Sequence, residues 1–136
     1  TGITRMLLGN VVLELAVVNV DVVENHWIPR EMEKGHTVMW PMSREIHLML
    51  LPNAAGGLGI LGYGGENRFR GDINLGSDDF ITGPVAMTRK IGPASNFEML
   101  YVDNISAANR YVQVEDDLFL YEGTAPKVAF RVRLFD

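Results

Sequence analysis

Three histidines fall within 22 residues: His26, His36 and His47. Imidazole is the commonest metal ligand, and three of them would build an open centre with a position left for a further ligand. Neighbouring strands can bring residues about ten apart side by side. Glu24 and Glu45 are the nearby carboxylates. No His-x-His pair lies on one strand face, so the competing reading is three ordinary histidines at strand ends. His26, His36 and His47 are the candidate metal ligands.

Other chemistry finds less support. Carboxylates pair at Asp78–Asp79 and Asp116–Asp117, with Asp103 and Glu115 besides. Calcium loops need an Asp-x-Asp-x-Asp-Gly spacing, which is absent. A glycosidase needs two carboxyl groups roughly 5–10 Å apart, a distance that spacing along a chain does not supply. None of Ser43, Ser77, Ser95 and Ser106 sits in Gly-x-Ser-x-Gly. There are no cysteines, which excludes disulfides, thiolate metal sites and a cysteine nucleophile. The expectation is a protein that is not an enzyme and uses no cofactor.

Arg70-Gly71-Asp72 spells an integrin-recognition tripeptide. Such tripeptides work at exposed loop tips. Alternation of Phe69, Ile73 and Leu75 instead places this one inside a strand, with Arg70 and Asp72 side by side outside. Trp27, Trp40, Tyr63, Phe69, Tyr101 and Tyr111 could form a carbohydrate platform, but most occupy alternating strand positions that suit a core. The seven methionines are adaptable packing material, frequent at contact surfaces.

The elements that would position these groups read as β throughout. Residues 6–24 alternate in period two through Leu13, Leu15 and Val17, and the phase flips at Val18, which suggests a bulge or a change of sheet. Pro29–Lys34 reads as one helical turn, with proline at its start and Gly35 past its end. Strands are expected at His36–Trp40, Ile46–Leu51 and Arg68–Leu75. Phe80–Met87 is broken at Gly83–Pro84 into an edge strand or two pieces. Phe97–Val102 is the next expected strand, and Ser106–Asn109 a turn or a single helical turn. Tyr111–Glu115 and Leu118–Glu122 form a hairpin around Asp116–Asp117, and Lys127–Phe135 is the cleanest strand. Ala54–Gly65 carries glycine at six of its last ten positions. It reads as a bulged connection between two β-rich halves, pinned by Leu58, Ile60, Leu61 and Tyr63. A phosphate-cradling loop would need a following helix and a Lys–Ser/Thr pair, and neither follows.

About nine or ten short strands at 8–12-residue spacing predict a single all-β domain over 1–136, an antiparallel sandwich or barrel of jelly-roll type. Asn25–Pro29, Gly35–Trp40 and His47 resemble the N-terminal half of cupredoxins, which run Asn-x-x-Phe-x-Pro, Gly-Asp-Thr-Val-x-Trp and then a copper-binding histidine. The resemblance covers about 25 residues. It implies a similar sandwich, with His47 as copper ligand, but the thiolate of a blue-copper centre has no counterpart here.

Composition sets the outer bounds. The chain has 136 residues, 47% apolar, enough for one packed core. Its net charge of −5 disfavours nucleic acid. The N-terminal residues lack a signal peptide's basic start and cleavage site. No apolar run reaches the roughly 18 residues of a membrane helix, so no membrane partner is expected. Both phases of Met6–Val23 are apolar, as are both faces of Ile46–Leu51. Such strands are either covered on both sides or buried against another chain. The sequence therefore points to a non-enzymatic assembly protein, a homo-oligomer or a module docked on a larger scaffold. A capsid-decorating or minor coat protein of a virion is the concrete form. Leu7, Leu8, Val11, Leu58, Ile60 and Tyr63 are the candidate interface residues. The alternative is a cupredoxin-like metal- or carbohydrate-binding module.

Overall fold

The computed structural model describes residues 3–8, 11–16, 22–32, 36–37 and 46–133. The first two stretches are strands β1 (Ile3–Leu8) and β2 (Val11–Ala16), paired antiparallel with Leu8 opposite Val11. The apolar N-terminal run is thus a hairpin forming its own two-stranded sheet. The phase change at Val18 lies outside the described residues.

The remaining strands make one ten-stranded sheet. They are β3 (His26–Met32), β4 (His36–Thr37), β5 (His47–Pro52), β6 (Leu58–Tyr63), β7 (Arg68–Leu75), β8 (Phe80–Thr82), β9 (Ala86–Met87), β10 (Arg110–Val114), β11 (Asp117–Glu122) and β12 (Ala125–Arg133). Spatial order runs β10-β11-β12-β3-β5-β6-β7-β8, a meander in two blocks, with every pair antiparallel. The ends of that order nearly meet. Phe80 N–H donates to Asn109 O at 3.2 Å and Tyr111 N–H to Asp78 O at 2.9 Å. The sheet is therefore a nearly closed barrel, which removes most of the exposed edge an open sheet would leave.

Alternation decides what faces inward. In β7, Phe69 and Ile73 are buried while Arg68, Arg70, Asp72 and Asn74 are exposed; in β12, Val128, Phe130 and Val132 are buried. Trp27, Leu48, Leu50, Ile60, Phe80, Leu118 and Leu120 complete the lining. Gly83–Pro84 separates β8 from β9, and Asp116 lies in the β10–β11 turn, both as the sequence predicts. That turn lacks glycine, and Glu115 takes the left-handed conformation instead, at φ 54°.

Three expectations are corrected. Pro29–Glu31 is not helical but lies inside β3. Phe130 pairs with Pro29 and Ala129 with Glu31, so Arg30 is the extra residue of a bulge. A proline without an N–H fits a strand at such a point.

Leu58–Tyr63 is no bulged connection. It is a regular strand between β5 and β7, reached by a tight turn at Asn53–Gly57, where Asn53 Oδ1 accepts from Ala55 N–H and Gly57 N–H. Its glycines make room. A Cβ on Gly62 would come within 2.2 Å of Phe69 Cζ, so the strand gives up a side chain to admit that ring.

Phe97–Val102 is not a strand. Ser95–Ala107 is the helix α1, whose Phe97, Tyr101, Val102 and Ile105 pack on the core. Tyr101 meets Phe97 in a stack and Phe69 edge-on, with ring centroids 5.8 and 5.9 Å apart. α1 packs against β12 and β8.

Candidate functional site

The predicted metal ligands separate. His26 opens β3 and His47 opens β5. Their rings stack at 5.3 Å between centroids, 11° from parallel, on the outer side of the barrel. His36 lies on β4 opposite Met32, at the far end of β3. A metal sits in the plane of each ligating ring, and two stacked, near-parallel rings share no such point. The described residues contain no group of three or more histidine or acidic side chains placed to hold an ion.

The acidic pairs also separate. Asp78 and Asp79 lie in the β7–β8 loop, where Ser77 Oγ donates to Asp78 Oδ1 at 2.9 Å. Asp116 and Asp117 lie at the β10–β11 turn, and Asp117 binds Arg131 Nε at 3.0 Å. None of the four lines the open groove of about 520 Å³ between Leu51, Pro52, Leu61, Arg70, Asp72 and Pro84. Ser95 Oγ accepts from Gly92 N–H; Ser43 lies outside the described residues. Arg70-Gly71-Asp72 is mid-strand, and a Cβ on Gly71 would meet Pro84 O at 2.9 Å. Among the aromatics, Trp27, Phe69 and Tyr101 are core residues, and Trp27 Nε1 donates to Val22 O at 2.9 Å. Of the interface candidates, Ile60 faces the barrel interior, Leu58 packs beside it, and Tyr63 donates its hydroxyl to Gly65 O at 2.7 Å. Leu7, Leu8 and Val11 lie at the closed end of the β1–β2 hairpin.

The most organised polar cluster is one the sequence reading passes over. Glu98, in the first turn of α1, is 3% exposed, and Asn67, just before β7, is 4% exposed. Glu98 Oε2 accepts from the backbone N–H of Glu66 and of Asn67, at 2.9 and 2.6 Å, and Glu98 Oε1 accepts from Asn67 Nδ2 at 2.6 Å. Asn67 Nδ2 also donates to Lys90 O, while its Oδ1 accepts from Lys90 N–H and from Thr88 Oγ1. Glu66 Oε2 accepts from Ala94 N–H at 3.3 Å. Three segments of chain are joined here: the β6–β7 turn, the loop over residues 88–94, and the start of α1. Packing leaves little slack. A Cβ on Gly64 would meet Glu98 Cγ at 2.5 Å, and one on Gly92 would meet Glu66 Oε2 at 2.2 Å.

Chemically, this is a brace. Both carboxylate oxygens of Glu98 are taken up by donors of the chain itself. The carboxylate has no open side from which to take a proton from a substrate. The brace fixes the backbone of the 88–94 loop and sends its side chains outward. Arg89 and Lys90 are exposed, and Ile91 is 95% exposed. The sequence signal was the glutamate within Phe97-Glu98-Met99-Leu100, a charge in an apolar run that needs a partner if buried.

A family model, the META domain, matches residues 20–133. The chain belongs to the META domain family. Two solved structures share the META domain's fold here. One is the NMR structure of a protein from Burkholderia xenovorans, 19% identical, with a TM-score of 0.66 over 84% of this chain and 85% of that one. The other, also an NMR structure, is 13% identical, with a TM-score of 0.61 over 83% and 95%. No curated protein matches the chain. The META match includes the stretch from Asn25 to His47 that resembles cupredoxins.

Proposed function

We propose that this META domain is a non-enzymatic assembly module that associates with its own copies or docks on a larger protein scaffold. One observation carries the reading. The polar groups at the best-organised site bind one another and the backbone, while the side chains that the site holds out are two cations and a fully exposed isoleucine. A rigid backbone with an apolar anchor and charges beside it is what a contact surface would use, and that supports the reading. A reactive site would present its titratable groups to a cavity. A virion coat is one setting for such a module.

The test is native mass by light scattering over a concentration series, with metal content measured on the same fraction. The expected result is a metal-free species larger than the 15.1 kDa chain, growing with concentration. A metal-bearing monomer at every concentration would overturn the proposal in favour of a metal-binding module.

A further inference from the structure

The two ends of α1 differ in charge. At its start stands the braced loop, with Arg89 and Lys90 exposed and Arg68 and Arg70 exposed on the adjoining strand β7. Thr88 N–H donates to Arg68 O, which ties loop and strand together. Among the described residues none of these four cations is in an ion pair, although Asp72 shares the outer face with Arg70. Four of the chain's twelve cations thus gather in one place on a protein of net charge −5, so the rest of the chain carries more net negative charge than that total.

At the other end of α1, roughly 20 Å away for a helix of 13 residues, lie Asp78, Asp79 and Asp103, all exposed, beside a half-buried Arg110 whose guanidinium is turned to Gly123 O and the Tyr121 ring. The backbone bonds from Phe80 to Asn109 and from Tyr111 to Asp78 fix the Asp78–Asp79 loop beside the residues that follow the helix. Each end carries an apolar residue in the open: Ile91 at the basic end, 95% exposed, and Ile81 at the acidic end, 50% exposed. Charge and apolar anchor are therefore matched in complementary form at opposite ends of one element.

We propose that copies of this chain associate head to tail, the Arg89–Lys90–Ile91 loop of one seating against the Asp78–Asp79 loop and Ile81 of the next. The inference rests on the assembly reading above and names the partner as a second copy. Unlike surfaces meeting in this way give a heterologous contact, which closes into a ring or runs on as a filament. The opposite charges set the register and the isoleucines supply the apolar contact.

Charge reversal tests it. The variants are Arg89→Glu with Lys90→Glu, Asp78→Lys with Asp79→Lys, and the chain carrying all four changes. Every substitution is at an exposed side chain, and circular dichroism checks the fold. Ile91→Ser, at a side chain that packs on nothing, serves as a variant that leaves the fold alone. Each single-end reversal is expected to weaken self-association by about tenfold or more at low salt. The four-change chain should regain it, and the two single-end variants should associate when mixed. Raising the salt to about 0.5 M should weaken the unmodified chain in the same direction. If assemblies persist unchanged through the reversals and Ile91→Ser, the head-to-tail contact is overturned while the assembly reading stands. If the unmodified chain stays monomeric at low salt and high concentration, self-association fails with it.

Discussion

Glu98 shows how a residue type can mislead about its use. A buried carboxylate is a common mark of catalysis, yet here three donors hold it closed. Glu98→Ala would leave the N–H groups of Glu66 and Asn67 and the Asn67 amide without their acceptor. Losing three hydrogen bonds and stranding their donors should cost about 3 kcal/mol or more of stability, read as a lower denaturant midpoint. Tyr101 makes the opposite case. It is fully buried among Phe69, Phe97 and Phe130, and its hydroxyl finds no partner among the described residues. An unpaired buried hydroxyl costs stability. Tyr101→Phe should therefore leave the denaturant midpoint unchanged or raise it by up to about 1 kcal/mol in equivalent stability; a fall of that size would show an unseen partner.

At the scale of elements, the choice between strand, connection and helix turned on neighbours. β6 is a glycine-rich strand because Phe69, from β7, fills the space that a side chain on Gly62 would need. Gly62→Ala should destabilise by about 1–3 kcal/mol through overpacking. Adding Phe69→Leu should recover less than a full core would lose, so the two changes together will be less harmful than their sum. Thermal unfolding of the two singles and the double measures this directly. α1 is held on one side by apolar spacing at Phe97, Tyr101 and Ile105 and at its start by the Glu98 brace. Met99, 65% exposed on its outer side, should accept glutamate with a change within about 0.5 kcal/mol.

For the whole molecule, stability should fall in alkali. Burial pushes the Tyr101 hydroxyl well above its ordinary value of 10.0. Partial burial, with Asp78 adding repulsion, raises that of Tyr111, which also donates to Gly76 O at 3.0 Å. A tyrosine harder to ionise folded than unfolded contributes its full stability below the unfolded value. That contribution is lost as pH rises from about 10 through the folded value, because the unfolded chain then releases protons that the folded chain keeps. Urea midpoints should therefore hold steady from neutral pH to about 9.5 and drop above 10. The drop should be shallower in Tyr101→Phe, and an equal drop in both would exclude Tyr101 as a source. The proposed assembly is tested by native mass, since a contact between unlike ends would need the folded surface.

The all-β class was legible in the sequence because period-two alternation is local: Arg68–Leu75 and Lys127–Arg133 each show which side chains face in without reference to anything else. The hairpin at Asp116 and the break at Gly83–Pro84 were legible for the same reason. What failed depended on distant partners. The glycines of β6 look like a loop until Phe69 is seen against Gly62 and the backbone of Gly71 against Gly59. The helical spacing of Phe97, Tyr101 and Ile105 is blurred by Glu98 and Asn104, polar residues that turn inward, and by Met99, an apolar one that turns out. Pro29 looks like a helix start until β12 is paired with it across a bulge. His26, His36 and His47 read as one ligand set, but the tertiary structure stacks the rings of His26 and His47 and puts His36 at the far end of β3. The brace of Asn67, Glu66 and Glu98 joins positions about thirty residues apart, so no local pattern announces it. Periodicity determined the class of the protein; which polar groups satisfy one another, and which side chains are left facing water, was decided by the closing of the barrel and the packing of α1 against β12 and β8, because burial and hydrogen bonding depend on what lies near in space.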